Sequence, residues 1–169
     1  MPSPTPLTLF LLRHGQANKQ GTTDFERSLT PHGQQQAISQ GKLLKNIASK
    51  IDVILCSAAS RTQETLQFLN LNTVSSRVTV SKDLYLADTQ TLLKYTHHVE
   101  QGDTVLIIGH NPGLHQFAYD LLAPTTKNND AQHLLSISFP TCALAKIEFS
   151  CQYWFEIDFY KGRLSEYHS

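Results

Sequence analysis

The sequence carries no excess of charge: 14 Lys and Arg stand against 14 Asp and Glu, for a formal net charge of +0. No nucleic-acid or acidic-membrane partner is expected, because such partners select a basic field, and any bound anion has to be held by local groups. Cysteine is scarce. Cys56, Cys142 and Cys151 form an odd set without paired-ligand spacing, which favours reduced thiols over disulfides or zinc. No apolar run approaches membrane-spanning length, and the opening Met1-Pro-Ser-Pro-Thr-Pro6 lacks a basic n-region. A cytoplasmic protein with no membrane partner is therefore expected. Repeats, low-complexity tracts and a strong internal boundary are also missing, so the 169 residues are read as one domain, 1–169. With only 17% charged residues and 40% hydrophobic ones, the composition is that of a globular chain rather than a disordered one.

What is present is a series of short apolar runs that stop abruptly at polar residues. Thr8 to Leu12 has no helical spacing and ends at Arg13-His14-Gly15, as a buried parallel strand does at a polar rim. Ile51 to Cys56 ends at Ser57-Ala-Ala-Ser60-Arg61, and Thr104 to Ile108 ends at Gly109-His110-Asn111. Between them lie helical patterns. Thr30 and Pro31 suit an N-cap and first helical position, with Ala37, Gly41, Leu44 and Ala48 on one face. Further helices are expected over Thr62–Leu69, Thr89–Val99 and Gly113–Leu122, with a third strand at Val78–Val80. Past a polar connector, Ala123 to Gln132, the runs Leu134–Phe139, Cys142–Phe149 and Tyr153–Phe159 read as antiparallel or edge strands. The predicted fold is α/β and three-layered: a mainly parallel sheet, helices on both faces, antiparallel or edge strands near the C-terminus.

In such sheets ligands bind at the carboxyl ends of the strands. Three strand ends would bring Arg13, Arg61, His14 and His110 to one edge, where arginine forks suit phosphate oxygens and the helix opening near Pro112 adds its dipole. Gly15 would let backbone N–H groups approach the ligand. A neutral imidazole in line with phosphorus can attack it, splitting one displacement into two, while the second histidine stabilises charge on the equatorial oxygens.

These segments resemble the histidine phosphatase superfamily, similar in fold to phosphoglycerate mutase. The resemblance rests on Leu-Arg13-His14-Gly15, Arg27-Ser-Leu-Thr30-Pro-His-Gly33, Ser57…Arg61-Thr-Gln-Glu-Thr65 and Gly109-His110-Asn-Pro-Gly113, in the family's order. The short chain looks most like the bacterial SixA-type phosphohistidine phosphatases. The resemblance implies that His14 is the nucleophile, that Arg13 and Arg61 bind the phosphoryl group and that His110 completes the pocket. Gly15, Gln16 and Asn111 are further candidate substrate-binding residues. Gln16 stands where many relatives carry an acid, and the mutases' proton donor has no secure counterpart. Asp83 is the nearest candidate for it, and Asp88 reads as a helix cap.

Other readings of the same residues are weaker. Cys56 and Arg61 are separated by four residues, where the cysteine phosphatases have five, and His110 and His115 are badly spaced for zinc on one helical face. No metal or cofactor is expected. His32, His97, His98 and His133 read as surface positions. The expected partner is a phosphate-bearing substrate such as a phosphohistidine protein. A small-molecule phosphomonoesterase, a mutase and a non-catalytic phospho-ligand binding module remain alternatives.

Overall fold

The computed structural model describes residues 6–20, 22–124 and 130–169. All but Pro6 of the opening segment, and residues 125–129 of the polar connector, lie outside the described residues.

Six strands form one sheet: β1 (Leu7–Arg13), β2 (Val53–Ser57), β3 (Arg77–Ser81), β4 (Thr104–Gly109), β5 (Leu144–Phe149) and β6 (Arg163–His168). Their order is β3-β2-β4-β1-β5-β6. The pairs β2·β3, β2·β4 and β1·β4 are parallel, and β1·β5 and β5·β6 are antiparallel. The α-helices among the described residues are α1 (Pro31–Ile47), α2 (Ser60–Leu69), α3 (Thr89–His97), α4 (Gly113–Asp120) and α5 (Asp130–Ile137).

Strand alternation sorts the core into two layers. Phe10, Leu12, Ile54, Cys56, Leu106 and Ile108 share a cluster with Leu44 of α1 and Leu69 of α2. Leu9, Leu11, Val53, Leu55, Val105 and Ile107 share the other with Leu92 of α3, Leu114 and Phe117 of α4 and Leu135 of α5. Because β1, β2 and β4 are covered on both faces, nearly every side chain they carry is apolar. Each fully buried Leu or Ile contributes about 1.5–3 kcal/mol relative to exposure. On α1, Thr30 accepts a hydrogen bond from the Gly33 N–H and caps the helix, and Gly33, Ala37, Gly41 and Leu44 are buried.

Register brings three chain segments to one edge. Leu12 of β1 and Cys56 of β2 both lie opposite Ile108 of β4. The residues that follow, Arg13 and His14, Ser57, and Gly109 and His110, therefore emerge side by side.

The C-terminal third departs from the sequence reading. Leu134–Phe139 is not a strand. Residues 130–137 form α5, with Leu135 buried while Leu134 and Ile137 are 52% and 64% exposed. A short mixed apolar run fits helix and strand periods equally, and packing decided between them. Tyr153–Phe159 is not a strand either. Trp154–Glu156 is a 3-10 turn that buries Trp154 and nearby Ile157 at a spacing of three, and the Glu156 carboxylate accepts from the Gln152 and Tyr153 N–H groups. The strand beside β5 is instead Arg163–His168. It is an edge strand with only Leu164 buried, so its sequence is polar. Cross-strand ion pairs, Lys146 with Glu166 at 3.2 Å and Arg163 with Glu148, hold it in place.

Candidate active site

The edge formed by β1, β2 and β4 carries a buried cluster of charged and titratable groups. His14 is 7% exposed, Arg61 2% and His110 3%. The His14 backbone is pinned on two sides, its N–H donating to Gly109 O and its carbonyl accepting from Cys142 N, each at 3.1 Å. Its ring Nδ1 lies 2.7 Å from the carbonyl oxygen of Gly15. A carbonyl only accepts, so Nδ1 carries the proton and Nε2 keeps its lone pair. Arg61 Nε donates to that lone pair at 3.2 Å. Burial, followed by the positive charges of Arg61 and Arg13, lowers the His14 pKa to about 4. The site thus holds a neutral imidazole with its nucleophilic nitrogen beside a guanidinium.

Arg61, on the first turn of α2, is engaged through three of its N–H groups. Besides the His14 bond, Nη1 donates to Asp24 O at 2.6 Å and Nη2 to Asp24 Oδ2 at 3.1 Å. Asp24 also takes the Tyr85 hydroxyl at 2.5 Å and Arg27 Nε at 2.9 Å. Tyr85, Arg27 and Arg61 together hold its carboxyl well below the usual carboxylate range, so it is ionised at neutral pH.

Arg13 donates from Nη1 to Phe139 O at 3.0 Å, and Asn111 Nδ2 donates to the same oxygen at 2.8 Å. His110 lies with its ring centroid 5.2 Å from that of His14 and 5.4 Å from Tyr85, and its Nε2 is 2.7 Å from Ser57 Oγ. Burial, followed by the electrostatic influence of His14 and Arg61, lowers its pKa to about 3. Four buried side-chain polar atoms lack a hydrogen-bond partner among the described residues, and three are here: Arg13 Nε, His110 Nδ1 and Asn111 Oδ1. Such atoms are costly to leave unpaired. The Arg13 Nε–H and the His110 ring nitrogen, clustered beside Arg61, mark a place prepared for an anion, whereas the Asn111 amide oxygen is an acceptor and has no part in it.

Gly15 has a different use from the one expected. Its N–H donates to Thr65 Oγ1 at 3.0 Å, so it is committed within the protein. A Cβ at Gly15 would sit 2.6 Å from Gly33 O, and one at Gly33 would sit 2.1 Å from Gln16 O. The two glycines let the turn after β1 lie against the start of α1. Gln16 is at the exposed rim, its Oε1 accepting from the Thr30 hydroxyl at 2.8 Å. A Cβ at Gly113 would meet Ala87 O at 1.8 Å. This close approach of α4 to the segment after β3 brings Tyr85 against His110.

The structure brings together Arg13, His14, Arg61, His110 and Asn111. It does not bring Asp83 to them. That residue is exposed on the 3-10 turn Lys82–Leu84 and accepts from the Tyr95 hydroxyl at 3.0 Å. Asp88 caps α3 through Thr91 N at 2.8 Å. His97 is half-buried on Ile157 O, whereas His32, His98 and His133 are exposed. Sequence reasoning missed Asp24, Tyr85 and Ser57. Asp24 stands in a polar loop without periodicity, and Ser57 is legible only as a strand end and as the first residue of a motif, without a role of its own. A groove of about 430 Å³ between α1 and α2, lined by Ile38, Lys42 and Phe68, contains none of these residues.

Comparison with known proteins agrees with this geometry. A model of the histidine phosphatase superfamily (branch 1) matches residues 9–88. An uncharacterized protein of Mycobacterium leprae is 30% identical over 146 residues, 86% of this chain and 88% of the relative. The chain belongs to the histidine phosphatase superfamily. Within it, the fold is similar to a structure assigned to the phosphohistidine phosphatase SixA of Nakamurella multipartitia. That match has a TM-score of 0.87 and 25% identity, covering 99% of this chain and 98% of the other. It is also similar to a protein histidine phosphatase SixA complexed with tungstate, at a TM-score of 0.77 and 23% identity over 96% of this chain and 97% of the other.

Proposed function

We propose that this protein is a phosphatase that forms a phosphohistidine on His14 and that its substrate is phosphohistidine on a protein partner. The observation that carries the reading is the His14 ring, whose Nδ1–H is tied to Gly15 O so that a bare Nε2 faces Arg61 in a buried pocket. A pure binding site has no need for an uncharged imidazole there. A protonated one would attract phosphate more strongly.

In this reading Nε2 attacks phosphorus in line, a P–N bond forms and the bond to the leaving group breaks. Arg61 exchanges its bond to Nε2 for one to a phosphoryl oxygen and adds the two N–H groups that Asp24 leaves free. Arg13 and His110 receive the remaining equatorial charge, which is where their unpaired Nε and Nδ1 atoms find partners. Water then attacks the phosphoryl group, and His14 leaves as the neutral ring. A SixA neighbour of similar fold forms a complex with tungstate, a tetrahedral oxyanion like phosphate, which is in keeping with an oxyanion ligand for this chain.

The substrate follows from the acids. Asp24 is ionised and bound to Arg61, Arg27 and Tyr85, and Asp83 is held away from the cluster. Neither is placed to protonate an alkoxide, a step that general acid catalysis typically speeds by about 10²–10⁴-fold. A phosphorylated imidazole needs less help. Its ring takes a proton from solvent near neutral pH on the nitrogen that does not carry phosphorus, since the reference pKa of histidine is close by, and then departs as neutral imidazole. The three cysteines are unpaired, and we place the protein in the reducing cytoplasm, acting as one catalytic domain. Parallel turnover of a phosphohistidine protein, an aryl phosphate and an alkyl phosphate tests the assignment. Activity is expected in that descending order, and equal efficiency on the alkyl ester contradicts it.

A further inference from the structure

The Gly15 carbonyl settles the protonation of His14, but no carbonyl does so for His110. Its Nε2 meets the hydroxyl of Ser57, and its Nδ1 is buried without a partner among the described residues. Ser57 is 0% exposed at the end of β2, and its Oγ accepts a second hydrogen bond from the Ala59 N–H at 3.4 Å.

Two proton arrangements are open to this pair. If His110 Nε2–H donated to Ser57, the serine's own hydrogen would have no acceptor among the described residues, and Nδ1 would be a bare buried acceptor. If Ser57 donates to Nε2 instead, its hydroxyl both donates and accepts, and the single group left over is an N–H on Nδ1. Each buried unsatisfied group costs about as much as a lost hydrogen bond or more, so the second arrangement is favoured by one group. The group it leaves is the one that an oxyanion can take.

We infer that Ser57 is a positioning residue whose buried hydroxyl, by donating to His110 Nε2, fixes the tautomer that offers Nδ1–H to the phosphoryl oxygens. The two histidines then carry their protons on the same ring atom and are used in opposite ways. His14 has its N–H tied to backbone and shows a bare nitrogen. His110 has its bare nitrogen tied to Ser57 and keeps its N–H for the ligand. The low pKa values of both rings, produced mainly by burial, keep the pair neutral so that these tautomers persist.

The consequence for catalysis rests on the phosphatase reading, but the test separates the two. Long-range ¹H–¹⁵N spectra of the ligand-free protein report which His110 nitrogen is protonated, and the inference requires Nδ1. In Ser57→Ala the proton is expected to move to Nε2, the form that a free neutral histidine side chain prefers. Orthovanadate affinity is expected to fall roughly ten- to a hundredfold, as for the loss of one hydrogen bond to a charged group. Ser57→Thr, which keeps the hydroxyl, is expected to retain the Nδ1–H form and most of the affinity. Protonation of Nε2 in the wild-type protein overturns the inference whether or not either variant folds. So does an Ala variant that keeps the Nδ1–H form, or one that changes tautomer with unaltered vanadate affinity. A wild-type protein with the required tautomer that turns over no phosphate contradicts the phosphatase reading and leaves the role of Ser57 standing.

Discussion

Acidification from pH 7 to pH 5 discriminates sharply between the buried His14 described here and an ordinary histidine. Attack on phosphorus requires the neutral ring. With the pKa lowered to about 4 by burial and by Arg61 and Arg13, about nine molecules in ten remain competent at pH 5. A histidine at its model value of 6.5 would be about 3% neutral at pH 5 and about three-quarters neutral at pH 7, a fall of roughly 25-fold. The assay is rapid-quench, single-turnover transfer of labelled phosphate at subsaturating concentrations, where the rate reports the ionisation of the free protein, with the donor's own ionisation measured separately by ³¹P NMR and divided out. The corrected rate is expected to change by less than about twofold between pH 7 and pH 5 and to decline only below that. A decline of roughly 25-fold with a midpoint near 6.5 would refute the electrostatic account of the site.

His14 and His110 tie stability to pH. Their folded pKa values lie below the unfolded ones, so the unfolded chain takes up protons that the folded one does not. Stability is full above about 6.5 and falls as pH drops toward 4, by up to about 1.4 kcal/mol per pH unit for each ring. Urea unfolding across that range checks the slope, and a flat profile would contradict it. Arg61→Ala should weaken orthovanadate binding by about 1.5–3 kcal/mol, measured by displacement of turnover; unchanged affinity would remove Arg61 from the anion site. Asp83→Asn, at a residue whose contacts are with Tyr95 and Ser81, should change phosphohistidine turnover by less than about twofold, and a collapse would show that Asp83 supplies a proton after all.

The fold was most legible where strands are buried on both faces. Leu9 to Leu12 and Val105 to Ile108 read as strands because each of their side chains has a core to enter, and Thr30 with Pro31 announced α1 through local capping chemistry alone. Legibility faded at the sheet's antiparallel edge. There Arg163–His168 pairs through its backbone and ion pairs and buries only Leu164, so no apolar pattern marks it. Phe155 and Tyr153 stack on each other at 5.3 Å, both largely exposed, and imitate a strand that does not exist. The site divides in the same way. His14, Arg61 and His110 could be placed together because each follows the end of a parallel strand, so topology alone brings them close. Asp24 and Tyr85 reach Arg61 from loops whose paths depend on tertiary contacts, including the edge-on packing of Phe25 against Tyr85 at 5.0 Å. No spacing rule connects residues 61 positions apart.

Covalent trapping tests the central claim most directly. The protein is mixed with a labelled phosphohistidine protein, quenched in denaturant at alkaline pH, digested and mapped by mass spectrometry. Phosphate is expected on Nε2 of His14, in a form stable to base and lost in acid, and absent from a folded His14→Ala variant that has also lost turnover. Undiminished turnover with no phosphate on His14, or label that persists in the His14→Ala protein, would contradict the account.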